Sequence, residues 1–93
     1  MEIELRTDGV DCSTTRLFVD GDEILYIKRI RIYLNGIHKA TMDADRGVAG
    51  SVPFVPYATI EIDRFDRQNT AAERFDIVTE RFERVNIVPL KAI

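Results

Sequence analysis

Ile24-Leu25-Tyr26-Ile27-Lys28-Arg29-Ile30-Arg31-Ile32-Tyr33-Leu34-Asn35-Gly36-Ile37 is the stretch on which the reading of the chain turns. Its second half alternates. Ile30, Ile32 and Leu34 fall on one side of an extended backbone, and Arg29, Arg31 and Tyr33 fall on the other, the period of a strand with one buried face. The first half breaks that phase, because Ile24 to Ile27 are apolar on both sides and Lys28 lands where Ile30 is buried. Either that end is covered on both faces, or a bulge near Lys28 and Arg29 shifts the phase so that Leu25 and Ile27 join the buried row. The pair Asn35-Gly36 closes two-residue hairpins, since both positions tolerate positive φ. With that turn Leu34 faces Ile37, Ile32 faces Lys39 and Ile30 faces Thr41, while Arg29, Arg31 and Tyr33 lie beside His38, Ala40 and Met42 on the outer face. This register buries Ile37 and turns Lys39 inward unless its ammonium reaches water at the rim.

Working outward, the same period-two pattern marks strands over residues 2–7, 15–20, 23–34, 37–43 and 56–65, with turns at Asp8-Gly9, Asp20-Gly21-Asp22 and Asn35-Gly36. Gly47 to Pro56 interrupts the alternation with glycines and prolines and reads as a long loop, the kind of element that often contacts partners. Its apolar residues Val48, Val52, Phe54 and Val55, with Tyr57 just beyond, are candidate contacts; the plainer alternative has Val52, Phe54 and Val55 folded onto one end of the core. Pro53 and Pro56 spell a P-x-x-P without the flanking basic residues that polyproline recognition favours.

Residues 70–85 change character. Thr70 and Glu73 form a capping box, and Ala71, Phe75, Val78, Phe82 and Val85 recur at helical spacing. A strand over the same residues buries Arg81 and Glu83 in its apolar row, which is costly. The pattern predicts an amphipathic helix near 70–85, followed by a short final strand or extended arm with Pro89 at a sheet edge. The expected fold is therefore mainly β, α+β at the margin: a single domain over residues 1–93, an antiparallel sandwich or partial barrel with one C-terminal helix.

With 93 residues, 45% hydrophobic and 31% charged, the chain suits one folded domain. Its net charge of −3 is spread evenly, 7 basic against 9 acidic residues through Arg46 and 6 against 7 after it. Nucleic-acid binding, which draws on a basic excess, is not expected. Neither is a membrane partner, because the longest proline-free apolar run is Ile24 to Ile27, far short of the ~20 residues of a span. The opening residues lack the features of a secretory signal, so a cytoplasmic location is expected.

Chemical motifs are few. Asp-Arg-Phe-Asp at 63–66, Glu-Arg-Phe-Asp at 73–76 and Glu-Arg-Phe-Glu at 80–83 repeat without a steady period and suit phenylalanine anchors flanked by surface ion pairs. Asp43-Ala44-Asp45-Arg46-Gly47 fails as a calcium loop, with Gly47 in a ligand position and Phe54 in place of the closing glutamate. Asp20, Asp22 and Glu23 suit a solvated turn. Cys12 has no second cysteine to join it, His38 is the one imidazole, and neither Ser13 nor Ser51 sits in a nucleophile elbow. Glu61 and Asp63 share a strand face on which Arg29 or Arg31 can meet them. No catalytic residue, metal site or cofactor is expected.

Gly9-Val10-Asp11 followed by Thr15-Arg16-Leu17, then Tyr26-Ile27-Lys28 and Asn35-Gly36-Ile37 with Ala40-Thr41, resembles small β-rich proteins encoded by phages and prophages. The resemblance covers about the first 60 residues and implies a non-enzymatic, accessory or structural part in a larger assembly, with a virion-associated instead of a cytoplasmic location. The expected function is a structural or protein-interaction module whose partner is a protein, or a second copy in a homo-oligomer. Contacts are expected from the loop Val48 to Pro56 with Tyr57 beside it, from the face carrying Arg29, Arg31, Tyr33 and His38, and from an unpaired sheet edge through which copies associate. Two rival expectations are a ligand-binding β domain with a pocket lined by Tyr26, Phe54 and Tyr57, and a hydrolase built on Cys12 and His38.

Overall fold

The computed structural model describes residues 1–65 and 77–90. Among the described residues eight strands follow one another: β1 (Ile3–Thr7), β2 (Arg16–Val19), β3 (Asp22–Ile24), β4 (Ile27–Leu34), β5 (Ile37–Asp43), β6 (Gly47–Gly50), β7 (Ala58–Phe65) and β8 (Ile77–Pro89), with one 3₁₀ turn at Cys12–Thr14. They make one sheet in the order β3-β2-β1-β8-β7-β4-β5-β6. Laid flat, such a sheet is a slab about 10 Å thick; the observed extents of 40 × 29 × 29 Å mean that it is rolled into a half-barrel.

Alternation explains which side faces in. Ile30 and Ile32 of β4, Ala40 and Met42 of β5, and Ala58, Ile60 and Ile62 of β7 meet Leu5, Leu17, Val85 and Ile87 inside the roll, all buried. Each fully buried Ile or Leu contributes about 1.5–3 kcal/mol over exposure, so this row outweighs any surface pair. The 3₁₀ turn folds over one end, with Cys12 packed against the core and its thiol donating to the Asp43 carbonyl at 2.9 Å.

Three bulges set the phase of the side chains. One lies between Ile27 and Arg29, leaving Lys28 as the extra residue, so Ile27 packs on the core as the phase-shift reading of the sequence has it. Leu25 does not follow, because the 23–34 strand is cut at Tyr26, whose φ of 64° swings Leu25 out to solvent. A second bulge corrects the hairpin register. Leu34 faces Ile37 and Tyr33 faces His38, but Ile32 then faces Ala40 and Ile30 faces Met42, with Lys39 left over. The extra residue keeps a lysine out of the buried row and turns Ala40 and Met42 inward; Ile37, at the hairpin tip, is exposed. The third lies in β8, where Ile60 faces Phe82 but Ala58 faces Val85, and Arg84 takes a φ of 59°.

The predicted helix is overturned by that third bulge. Residues 77–85 are strand, and residues 70–76 lie outside those described. Val78, Glu80 and Phe82 share one face; beyond the bulge Val85 and Ile87 take up the other phase. Glu80, which a buried row disfavours, sits between Val78 and Phe82 on that face, half-buried and paired with Arg64. Nor is the sheet wholly antiparallel. Asn86 to Pro89 of β8 run parallel to β1, with Leu5 beside Ile87. The expected 47–56 loop is likewise shortened at its start, since Gly47–Gly50 forms β6 against β5.

Candidate interaction surfaces

The convex face of β4, β5, β7 and β8 carries a connected polar network. The Arg31 guanidinium donates to both carboxylate oxygens of Asp63, at 2.9 and 3.1 Å, and reaches Glu61 at 3.4 Å. Thr79 donates to Asp63 at 2.8 Å, and Tyr33 donates its hydroxyl proton to Glu61 at 3.1 Å. One strand over, Arg29 donates twice to Asp43, at 2.8 and 3.1 Å. His38 packs edge-on to Tyr33 and shares a 2.8 Å hydrogen bond with Thr41. The carboxylate and arginine groups expected to meet across strands do meet. Arg31 first, and Thr79 with it, hold the Asp63 carboxyl below its ordinary pKa against the effect of its burial. Asp43 is lowered too, chiefly by the Asp45 N–H and then by Arg29. Arg29, Arg31 and Tyr33 are thus engaged within the sheet, where they brace neighbouring strands.

The other expected contacts divide. Val52 is half-buried against the core, as the capping alternative has it, and Val48 is too, whereas Phe54, which that alternative also folds down, is 48% exposed and Tyr57 65%. The segment that carries them is held at both ends: Ser51 N–H donates to the Lys39 carbonyl, and Ile87 N–H donates to the Val55 carbonyl, each at 3.1 Å. Phe54 rests on Gly9, where a Cβ would stand 3.2 Å from its ring, and next to Gly9 Val10 is 79% exposed. Tyr57 is the more unusual residue. Its φ is 69°, a left-handed conformation that costs a bulky side chain about 1–3 kcal/mol. The Arg84 guanidinium lies 5.2 Å over its ring, and Arg84 is itself left-handed. A turn and a bulge, each strained, therefore present an exposed tyrosine and an arginine stacked on one another.

Tyr26 lines a different opening, a cleft of about 160 Å³ at the mouth of the roll with Cys12, Ile24, Ile27, Lys28, Ile30 and Met42 among its walls. Drug-sized ligands occupy roughly 300 Å³ or more, and neither Phe54 nor Tyr57 reaches this cleft, so the three aromatic residues do not share one pocket. Cys12 lies on the concave side and His38 on the convex side, so the two do not form a nucleophile and base. Among the described residues no three His, Cys, Asp or Glu side chains come together to hold a metal ion, and no helix is long and apolar enough to cross a membrane.

Sequence reasoning singled out Tyr57 but missed Arg84 and Val10. Nothing local marks Arg84, whose role follows from a bulge set by the partner strand. Compared with protein families, with curated proteins and with solved structures, the chain has no match.

Proposed function

We propose that the chain is a non-enzymatic protein-interaction module that grips a protein partner through Tyr57, Arg84 and Phe54, with Val10 at the rim. The observation that carries this reading is the pair of left-handed residues, Tyr57 and Arg84, stacked at 5.2 Å with the tyrosine two-thirds in solvent. Backbone strain of that kind persists where the surface has a use. Tyrosine and arginine are enriched where binding energy concentrates, and here Arg84 stands within β8 while Tyr57 sits between the hydrogen-bonded Val55 and the start of β7, so both are presented with little ordering left to lose on binding. The resemblance to phage and prophage accessory proteins adds the expectation that the partner belongs to a larger assembly.

Tyr57→Gly separates this reading from a purely structural one. Glycine accepts the positive φ without strain, so the variant keeps its stability to within about 1 kcal/mol, yet it removes the ring. Captured from native extract on immobilised protein, a partner retained by the natural chain and lost by both Tyr57→Gly and Arg84→Ala supports the proposal. Identical capture by all three proteins refutes it.

A further inference from the structure

The two end strands of the rolled sheet differ in how they treat their open edges. β3 is three residues long and carries Asp22 and Glu23, the latter held by a double hydrogen bond to Arg16. Short, charged edges resist pairing with another chain. β6 reads Gly47-Val48-Ala49-Gly50, without charge or proline, and among the described residues no strand lies beyond it. Hydrogen bonds in an antiparallel pair involve every second residue. Ser51 N–H donates to the Lys39 carbonyl, so Ala49, two residues back, also turns its N–H and C=O toward β5. Val48 and Gly50 turn theirs away from it.

We propose that β6 pairs with β6 of a second copy, antiparallel about a two-fold axis, with Ala49 opposite the partner's Ala49. This register sets Val48 opposite the partner's Gly50 and Gly50 opposite the partner's Val48, and their outward backbone groups close four hydrogen bonds. A second copy fits for three reasons. The outward groups lie two residues apart on one strand, so a two-fold rotation satisfies all of them with no other sequence required. Ala49 is exposed on the convex face and small enough for the close, non-hydrogen-bonded position at the axis, where Cα atoms approach to about 4.5 Å. On the concave face the half-buried Val48 comes diagonal to the partner's Val48 and Val52, so apolar surface left open in one chain is covered in two. Gly50 keeps the place opposite the partner's Val48 bare, and must do so: a Cβ there would stand 2.3 Å from the Lys39 carbonyl oxygen. This surface is separate from Tyr57 and Arg84, and either proposal can fail without the other.

The test is sedimentation velocity from low micromolar to submillimolar concentration, with charge-swapped variants at the axis. The natural chain forms a dimer. Ala49→Lys and Ala49→Glu, each placing like charges face to face, weaken it by ~100-fold, and mixing the two variants restores a dimer containing one of each. Circular dichroism checks that the variants stay folded, which the exposure of Ala49 favours. Independently of any variant, the Val48 and Gly50 amides of the natural chain gain hydrogen-exchange protection as concentration rises. A natural chain that stays monomeric throughout overturns the proposal, including the case in which the edge instead takes up an extended peptide from another protein. A dimer indifferent to charge at residue 49, or a mixture that fails to associate, overturns it as well.

Discussion

Replacing Arg31 by methionine tests whether the convex network braces the fold. Asp63 is only 8% exposed and receives two hydrogen bonds from Arg31 and one from Thr79. Without Arg31 its charge keeps a single donor, and Glu61 keeps the Tyr33 hydroxyl. Charged hydrogen bonds contribute about 1.5–3 kcal/mol each, and breaking a fully buried pair costs about 3–5. The Arg31 side chain retains 24% exposure, so solvent screens part of that loss. A cost of about 2 kcal/mol results, from a total stability on the order of 5–10. With a urea dependence of about 1 kcal/mol per molar, the midpoint drops by ~2 M. Asp63→Asn costs a similar amount, since it leaves the guanidinium short of its carboxylate. The double variant Arg31→Met with Asp63→Asn loses less than the two singles together, by about 1–2 kcal/mol, because neither charge is then stranded. Urea unfolding of the four proteins in parallel gives the coupling directly. Singles that add to the double within about 0.3–0.5 kcal/mol would show that the network holds nothing together.

Two further predictions concern pH and backbone. Because Asp63 and Asp43 have depressed pKa values in the folded chain, their contribution is complete above the ordinary carboxylate value of about 4 and is lost as pH falls through the depressed one. The urea midpoint therefore holds level near neutrality and falls below about pH 4, less steeply in Asp63→Asn; equal slopes in the two proteins would contradict the assignment. Gly50 and Gly21 both have positive φ, but a Cβ at Gly21 meets nothing within 4 Å. Gly21→Ala costs about 1 kcal/mol and Gly50→Ala about 3, a difference of roughly 10 °C in melting temperature, and equal losses would mean that β6 is not seated against Lys39 as described.

Which parts of this fold can be read from sequence depends on where the bulges lie. The alternation of Ile30 to Leu34 and the Asn35-Gly36 turn are local signals, and they lead to β4, β5 and the pairing of arginines with Glu61 and Asp63. Lys28 betrays its bulge by standing in an apolar row. Lys39 gives the same sign, a charge in a buried position, but a rim lysine explains it equally well. In β8 the effect is deceptive. Alternation through Val78, Glu80 and Phe82, an extra residue at Arg84 and a restart at Val85 leave apolar side chains four and three residues apart, the spacing of a helix. The stacking of Tyr57 on Arg84 has no local mark at all, since both left-handed conformations are imposed by strands that meet only in the folded chain.

The parallel seam between β1 and β8 also has a bearing on how the protein comes to be folded. On the ribosome the hairpins β1–β2–β3 and β4–β5–β6 emerge early and close through nearby contacts, whereas the strand that zips the two sets together is synthesised last of the eight. Until it arrives, the flanks of β1, with Ile3 and Leu5, and of β7, with Ile60 and Ile62, stand open, and such nascent ribbons are prone to sticking together. Joining residues about 80 positions apart makes the final step slow. Those two flanks are therefore where off-pathway association concentrates until β8 docks between them.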